Sequence, residues 1–142
     1  MRKLIFFALI GLVLAGCGQS APGADDGKSF STEAKTAFPS GLVPSFPYSV
    51  RGEKVIAVGG GDEHRVMIEF KSGDAATIDS DLQKQLAGGG YQSNRHFTDS
   101  TGSIITGYKK GDVDLMTSVT ARNVSKLTLA SDSKGTVYYK WH

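Results

Sequence analysis

Cysteine is nearly missing from this chain: Cys17 is the only one in 142 residues. No intramolecular disulfide can form, so any folded part must be held by its apolar core. An excess of one charge is also lacking. Lysine and arginine number sixteen against fourteen aspartates and glutamates. Two of the sixteen, Arg2 and Lys3, stand ahead of the apolar N-terminal run. Without them fourteen cations face fourteen anions. So balanced a surface argues against a broad basic field, and nucleic acid is not an expected partner. Long apolar runs are missing too. The main one, Leu4 to Val13, covers about ten residues, where a spanning helix needs roughly 20. A Gly-x-Ser-x-Gly elbow and a His-Glu-x-x-His zinc helix are both absent, which removes two common routes to hydrolysis.

What is present begins with a basic end, Met1-Arg2-Lys3, then the apolar run, then Leu14-Ala15-Gly16-Cys17. That order is a secretory signal. Its last four residues resemble the lipobox of bacterial lipoproteins, in which a branched apolar residue and two small residues precede cysteine. The resemblance implies cleavage between Gly16 and Cys17, a diacylglycerol on the Cys17 thiol, and often an acylated amine. The acyl chains make membrane lipid the expected partner of Cys17. Two or three chains anchor firmly where one binds only marginally, at roughly 0.8 kcal/mol per buried CH₂. Residue 18 is glycine, not the aspartate that usually retains such proteins at the inner membrane. The implied place is the cell envelope, at the outer membrane facing the periplasm if the source is Gram-negative.

Residues 17–36 follow as the lipidated N-terminus and a tether rich in Gly, Ser, Ala and Asp. Residues 37–142 are expected to form one small domain. Its entry holds Pro39, Pro44 and Pro47 among Phe38, Leu42, Val43, Phe46 and Tyr48. Proline at that density forbids a helix interior and predicts an extended segment whose apolar residues lie along the domain edge.

From there the period is mostly two. Lys54–Val58 and His64–Lys71 flank the turn Gly59-Gly60-Gly61-Asp62 and predict a hairpin, with Val66, Ile68 and Phe70 inward and Arg65, Met67 and Glu69 outward. Ile78, Leu82 and Leu86 recur every four residues after a capping Asp74, predicting one helix that Gly88-Gly89-Gly90 ends. Asp79, Asp81, Gln83 and Lys84 are placed mostly on its outer side. Alternation resumes over 91–98, 103–109, 113–121, 124–131 and 136–141, with short turns that favour antiparallel neighbours. The expected class is α+β: an antiparallel sheet of five to six strands with one helix, in the order β-β-α-β-β-β, with room for one more strand. Pro44, Pro47, Leu82, Leu86, Gly90 and Tyr91 also resemble the pattern of small exported domains with a proline-rich lead-in and one helix ending near Gly-Tyr. That pattern carries no chemistry with it.

Little in the domain points to a reaction. Gly59-Gly60-Gly61-Asp62 leads into a strand, whereas a phosphate loop needs Lys-Ser/Thr and then a helix. His64, His96 and His142 lack the close spacing of metal ligands, so neither metal nor cofactor is expected. Asp79 with Asp81 and Asp112 with Asp114 read as solvated charge. The C-terminal strand is the most informative segment. Alternation sends Tyr139 and Trp141 inward with Val137, and Tyr138 and Lys140 outward, where an aromatic beside a cation suits a protein contact.

The expectation is a non-enzymatic interaction or assembly-accessory module of the cell envelope, with an envelope protein as partner. One alternative is a small-ligand-binding or hydrolase-inhibitor module, although lysozyme-inhibitor lipoproteins usually carry a disulfide this chain cannot make. A second is an envelope hydrolase whose residues are scattered in sequence.

Overall fold

The computed structural model describes residues 37–142. Gly16, Cys17 and the tether lie outside the described residues. Six strands and one helix follow in the order β1 Tyr48–Val58, β2 Gly61–Phe70, α1 Ala75–Gly88, β3 Gln92–Thr98, β4 Ile104–Lys110, β5 Val113–Ala121 and β6 Gly135–Trp141. The class is α+β, with β-β-α-β-β-β-β along the chain. The strands form one antiparallel sheet in the spatial order β1-β2-β6-β5-β4-β3. After the β1–β2 hairpin, α1 carries the chain to the far edge. β3, β4 and β5 then run back, and β6 closes the gap beside β2.

Local chemistry sets the ends of these elements. Gly59 and Gly60 both have positive φ, 55° and 88°, as a two-residue turn matching strand twist requires. The Asp74 side chain accepts from the Thr77 N–H at 2.8 Å and caps α1. At the other end the Tyr91 N–H donates to Leu86 O at 2.9 Å and the Gly90 N–H to Ala87 O at 3.0 Å. Gly90, at φ 89°, completes that left-handed stop.

One face of the sheet is covered. α1 packs on β3, β4 and β5, burying Ile78, Leu82 and Leu86 against Tyr108, Leu115 and Val119. The proline-rich entry lies beside it. The expectation placed its apolar residues at an edge, but Phe38 and Phe46 belong to the core. The Phe38 ring meets Tyr139 and Tyr48 edge-on, with centroids 5.6 and 5.7 Å apart. A 3-10 turn at Pro39–Gly41 folds the segment back, so that Ser40 Oγ reaches Tyr91 OH at 2.8 Å. The Gln85 side chain donates to Val43 O.

Two further expectations are corrected. Residues 124–131 are not a strand. β5 already has β4 and β6 as neighbours, so the segment cannot pair beside the strand it follows. It crosses instead as a loop over the other sheet face. Arg51 donates to Thr128 O at 2.8 Å, and the Ala130 N–H donates to Glu69 at 3.0 Å. Asp79, expected outside, is buried. Its Oδ1 accepts from Thr106 Oγ1 at 2.9 Å, and its Oδ2 lies 2.6 Å from Gln83 Nε2 and 2.9 Å from His96 Nε2. Three partners from α1, β3 and β4 satisfy the carboxylate, which is what permits its burial.

Candidate interaction surface

The sheet face away from α1 is lined by the alternate residues of every strand. Register places them in rows across the strands. One row reads Lys54, Arg65, Lys140, Met116, Gly107, Arg95 from edge to edge. The adjacent row, two residues along each strand, reads Gly52, Met67, Tyr138, Ser118, Ile105, Phe97. A cationic row thus lies beside an apolar one, about 7 Å apart by strand geometry.

Two bulges make this alignment. Register shifts between Val50 and Gly52 and between Ser93 and Arg95, leaving Arg51 and Asn94 as extra residues. An extra residue reverses which face the following side chains take. In β1 this keeps Tyr48 and Val50 against the core while Lys54 faces outward.

Electrostatics on this face is one-sided. Residues 37–142 hold twelve Lys and Arg and eleven Asp and Glu, close to the balance expected. Their placement is uneven: Arg51, Lys54, Arg65, Lys71, Arg95, Lys109, Lys126 and Lys140 border this face or the loop over it, against Glu53, Glu63, Glu69, Asp114 and Asp132. Glu63 sits 2.6 Å from Arg65 Nη2 and 3.6 Å from Lys140 Nζ. The Arg65 hydrogen bond holds the Glu63 carboxyl below its ordinary value. Asp114 pairs loosely with Lys109 at 3.7 Å. Lys54 and Arg95 form no ion pair among the described residues.

Three hollows open on this face. A cavity of about 240 Å³ lies over Gly107, between Arg95, Met116 and Lys140. A Cβ on Gly107 would stand 2.7 Å from Asn94 Oδ1, so glycine is what lets the bulge close over β4. Tyr138 and Met67 line two further hollows, of about 410 and 290 Å³, on either side of their row. Crossing the sheet beside the last of these, the 122–134 loop contributes Leu127.

Tyr138 and Lys140, the residues singled out in the sequence, are both half-buried on this face, while Tyr139 is buried beneath it. Trp141 is only partly buried and stacks on His64, with centroids 4.9 Å apart. The sequence reading did not single out Lys54, Arg95, Ile105 or Phe97. Unbroken alternation from Tyr48 and Val50, or from Tyr91 and Ser93, would turn Lys54, Arg95 and Phe97 inward; the two bulges and the register bring them into these outward rows.

The histidines stay apart. His64 stacks on Trp141, His96 holds Asp79, and His142 Nε2 is 3.9 Å from Asp114. Among the described residues no three His, Cys, Asp or Glu side chains are grouped to hold a metal. No helix there is long and apolar enough to cross a membrane. No protein-family model, curated protein or solved structure matches the chain.

Proposed function

We propose that this chain is a lipid-anchored bacterial lipoprotein of the cell envelope, acting without catalysis as an interaction or assembly-accessory module. Its acylated Cys17 holds it on the membrane, and its open sheet face docks an envelope protein. One observation carries the docking half: Tyr138 and Lys140 lie within a mixed apolar and cationic face that neither the helix nor the entry segment covers. A face crossed only by the 122–134 loop, combining aromatic, methionine and arginine side chains, matches the composition of protein contacts. The anchoring half rests on Leu14-Ala15-Gly16-Cys17 and stands apart from the fold.

A hydrolase reading draws on one observation, the His96 ring held by the buried Asp79 carboxylate. Such a carboxylate orients a general base in many enzymes. Here it is shared with Gln83 and Thr106, and no hydroxyl nucleophile is hydrogen-bonded to His96 among the described residues. The pair is accounted for by the packing of α1 on β3 and β4.

Mass spectrometry and membrane fractionation of the natural product test the anchor, with Cys17→Ser as control. A chain starting at residue 17 with a diacyl mass increment is expected, lost with membrane association in the variant. A photo-crosslinker at position 138, compared with one at position 84 on the helix, tests the face. Envelope-protein adducts from 138 alone are expected. Equal yields from both positions would sink the docking reading.

A further inference from the structure

We infer that the partner of the open face is an acidic protein segment with apolar side chains beside its carboxylates, read by the Lys54–Arg65–Lys140–Arg95 row and the neighbouring Met67–Tyr138–Ile105–Phe97 row. The inference rests on the interaction-module reading and names the chemistry of its partner.

Charge complementarity commits the surface to an anionic occupant. Eight cations share the face and its crossing loop with five carboxylates, although the described residues as a whole are close to neutral. The distribution also selects among anions. Glu63 lies between Arg65 and Lys140, and Asp114 borders the hollow over Gly107. These carboxylates repel a densely charged polyanion such as polyphosphate, whose successive charges would have to sit beside them. A protein segment can space its carboxylates to match the cations left over.

Those cations stand at the two ends of the row. Lys54 lies on one edge strand and Arg95 on the other, five strand spacings apart, or about 24 Å. Arg95 and Lys140 also flank the Gly107 hollow, where Met116 supplies an apolar floor. Phe97 is 43% exposed and Ile105 is partly exposed in the next row, so a ligand that met only the charges would leave them wet. An occupant carrying both chemistries on adjacent edges covers both rows.

The test uses the purified full-length protein in neutral detergent and a fluorescent peptide of alternating glutamate and leucine, read by anisotropy. The acidic peptide is expected to bind. Its affinity should fall about tenfold in the double variant Lys54→Glu/Arg95→Glu, in line with the small worth of single exposed charges, and fall further with added salt. Phe97→Ser should weaken it several-fold. All three positions are exposed, so the variants keep the fold.

Absence of binding, or binding that ignores the charge-reversed variant, would overturn the inference. So would polyphosphate, or a control peptide with lysine in place of glutamate, competing better than the unlabelled acidic peptide itself. Tighter peptide binding in Asp25→Asn/Asp26→Asn would show that the chain's own tether occupies the row, which also overturns it. Failure of lipidation leaves this result untouched. An anchored protein that crosslinks through position 138 but ignores the peptide removes this inference alone.

Discussion

Thr106 on β4 donates its hydroxyl to Asp79 on α1 at 2.9 Å, a polar bond at the centre of an otherwise apolar contact between helix and sheet. Both residues are buried, Thr106 fully. Removing the carboxylate strands the Thr106 donor and unties Gln83 and His96 together. Asp79→Ala should therefore cost about 2–3 kcal/mol, the scale of hydrogen bonds to a charged group left unmade. Asp79→Asn keeps an oxygen for Thr106 and should cost less. Urea unfolding measures both, as a lower midpoint at unchanged slope. A midpoint for Asp79→Ala equal to the parent would mean the cluster adds nothing.

The same residue marks the limit of reading helices from spacing. Ile78, Leu82 and Leu86 define the buried stripe of α1, and the structure buries all three. Asp79 borders that stripe. Whether a bordering carboxylate turns to solvent or to the sheet depends on donors that β3 and β4 bring from elsewhere in the chain. The hairpin glycines, the helix stop and the inward Tyr139 were legible because each is decided by its near neighbours. Tyr138 and Lys140 were legible as outward for that reason too. The cationic row was not, since it joins residues from all six strands through a register that two bulges shift. The 124–131 segment alternates like a strand but follows β5, both of whose sides are already paired, a fact of topology.

Glu69 ties the loop that crosses the open face. It is 2% exposed, pairs with Arg51 at 2.5 Å and accepts from the Ala130 N–H. Lys71 stands 3.9 Å from its other oxygen. Glu69→Ala leaves the Ala130 amide and the Arg51 guanidinium without that partner, and should cost about 2–3 kcal/mol. The loss should be local as well as global. Lys126 sits mid-loop, and limited trypsin digestion should cut after it faster in the variant than in the parent. Unchanged cleavage in a destabilised variant would show that Glu69 supports the sheet without holding the loop.

Stability should fall on the alkaline side through two buried tyrosines. Burial pushes Tyr108 up to about 12, partly offset by the neighbouring Thr117 hydroxyl, and burial raises Tyr139 as well. In the unfolded chain each ionises near pH 10. Below that value both states keep the proton and stability is unaffected. Above it the unfolded state loses protons that the folded state retains, so stability declines through about pH 12. Tyr108→Phe should flatten part of that decline. Near neutrality it should be close to harmless, because the Tyr108 hydroxyl has no well-formed hydrogen bond among the described residues. Urea midpoints at pH 7 and at stepped alkaline pH check both statements. An equally steep decline in Tyr108→Phe would move the effect elsewhere.

Gly135 ends the polar stretch Asp132-Ser133-Lys134-Gly135, whose composition is that of a turn. The structure makes it the first, buried residue of β6, paired with Phe70 on one side and Ala121 on the other. A Cβ there would run into the Thr120 carbonyl and stand 2.6 Å from the Phe70 ring. The carbonyl belongs to β5, which the β5–β6 ladder holds in place, and Phe70 is fully buried, so neither neighbour can give way cheaply. Gly135→Ala should cost about 2–3 kcal/mol, toward the upper end for overpacked cores. Gly61→Ala is the matched control, with nothing within 4 Å of its added carbon, and should shift stability by less than about 0.5 kcal/mol. Thermal unfolding of the two variants side by side separates a steric requirement from a general cost of losing glycine. Equal shifts would mean that β5 and β6 can part to admit a methyl group, and that Gly135 is a turn residue after all.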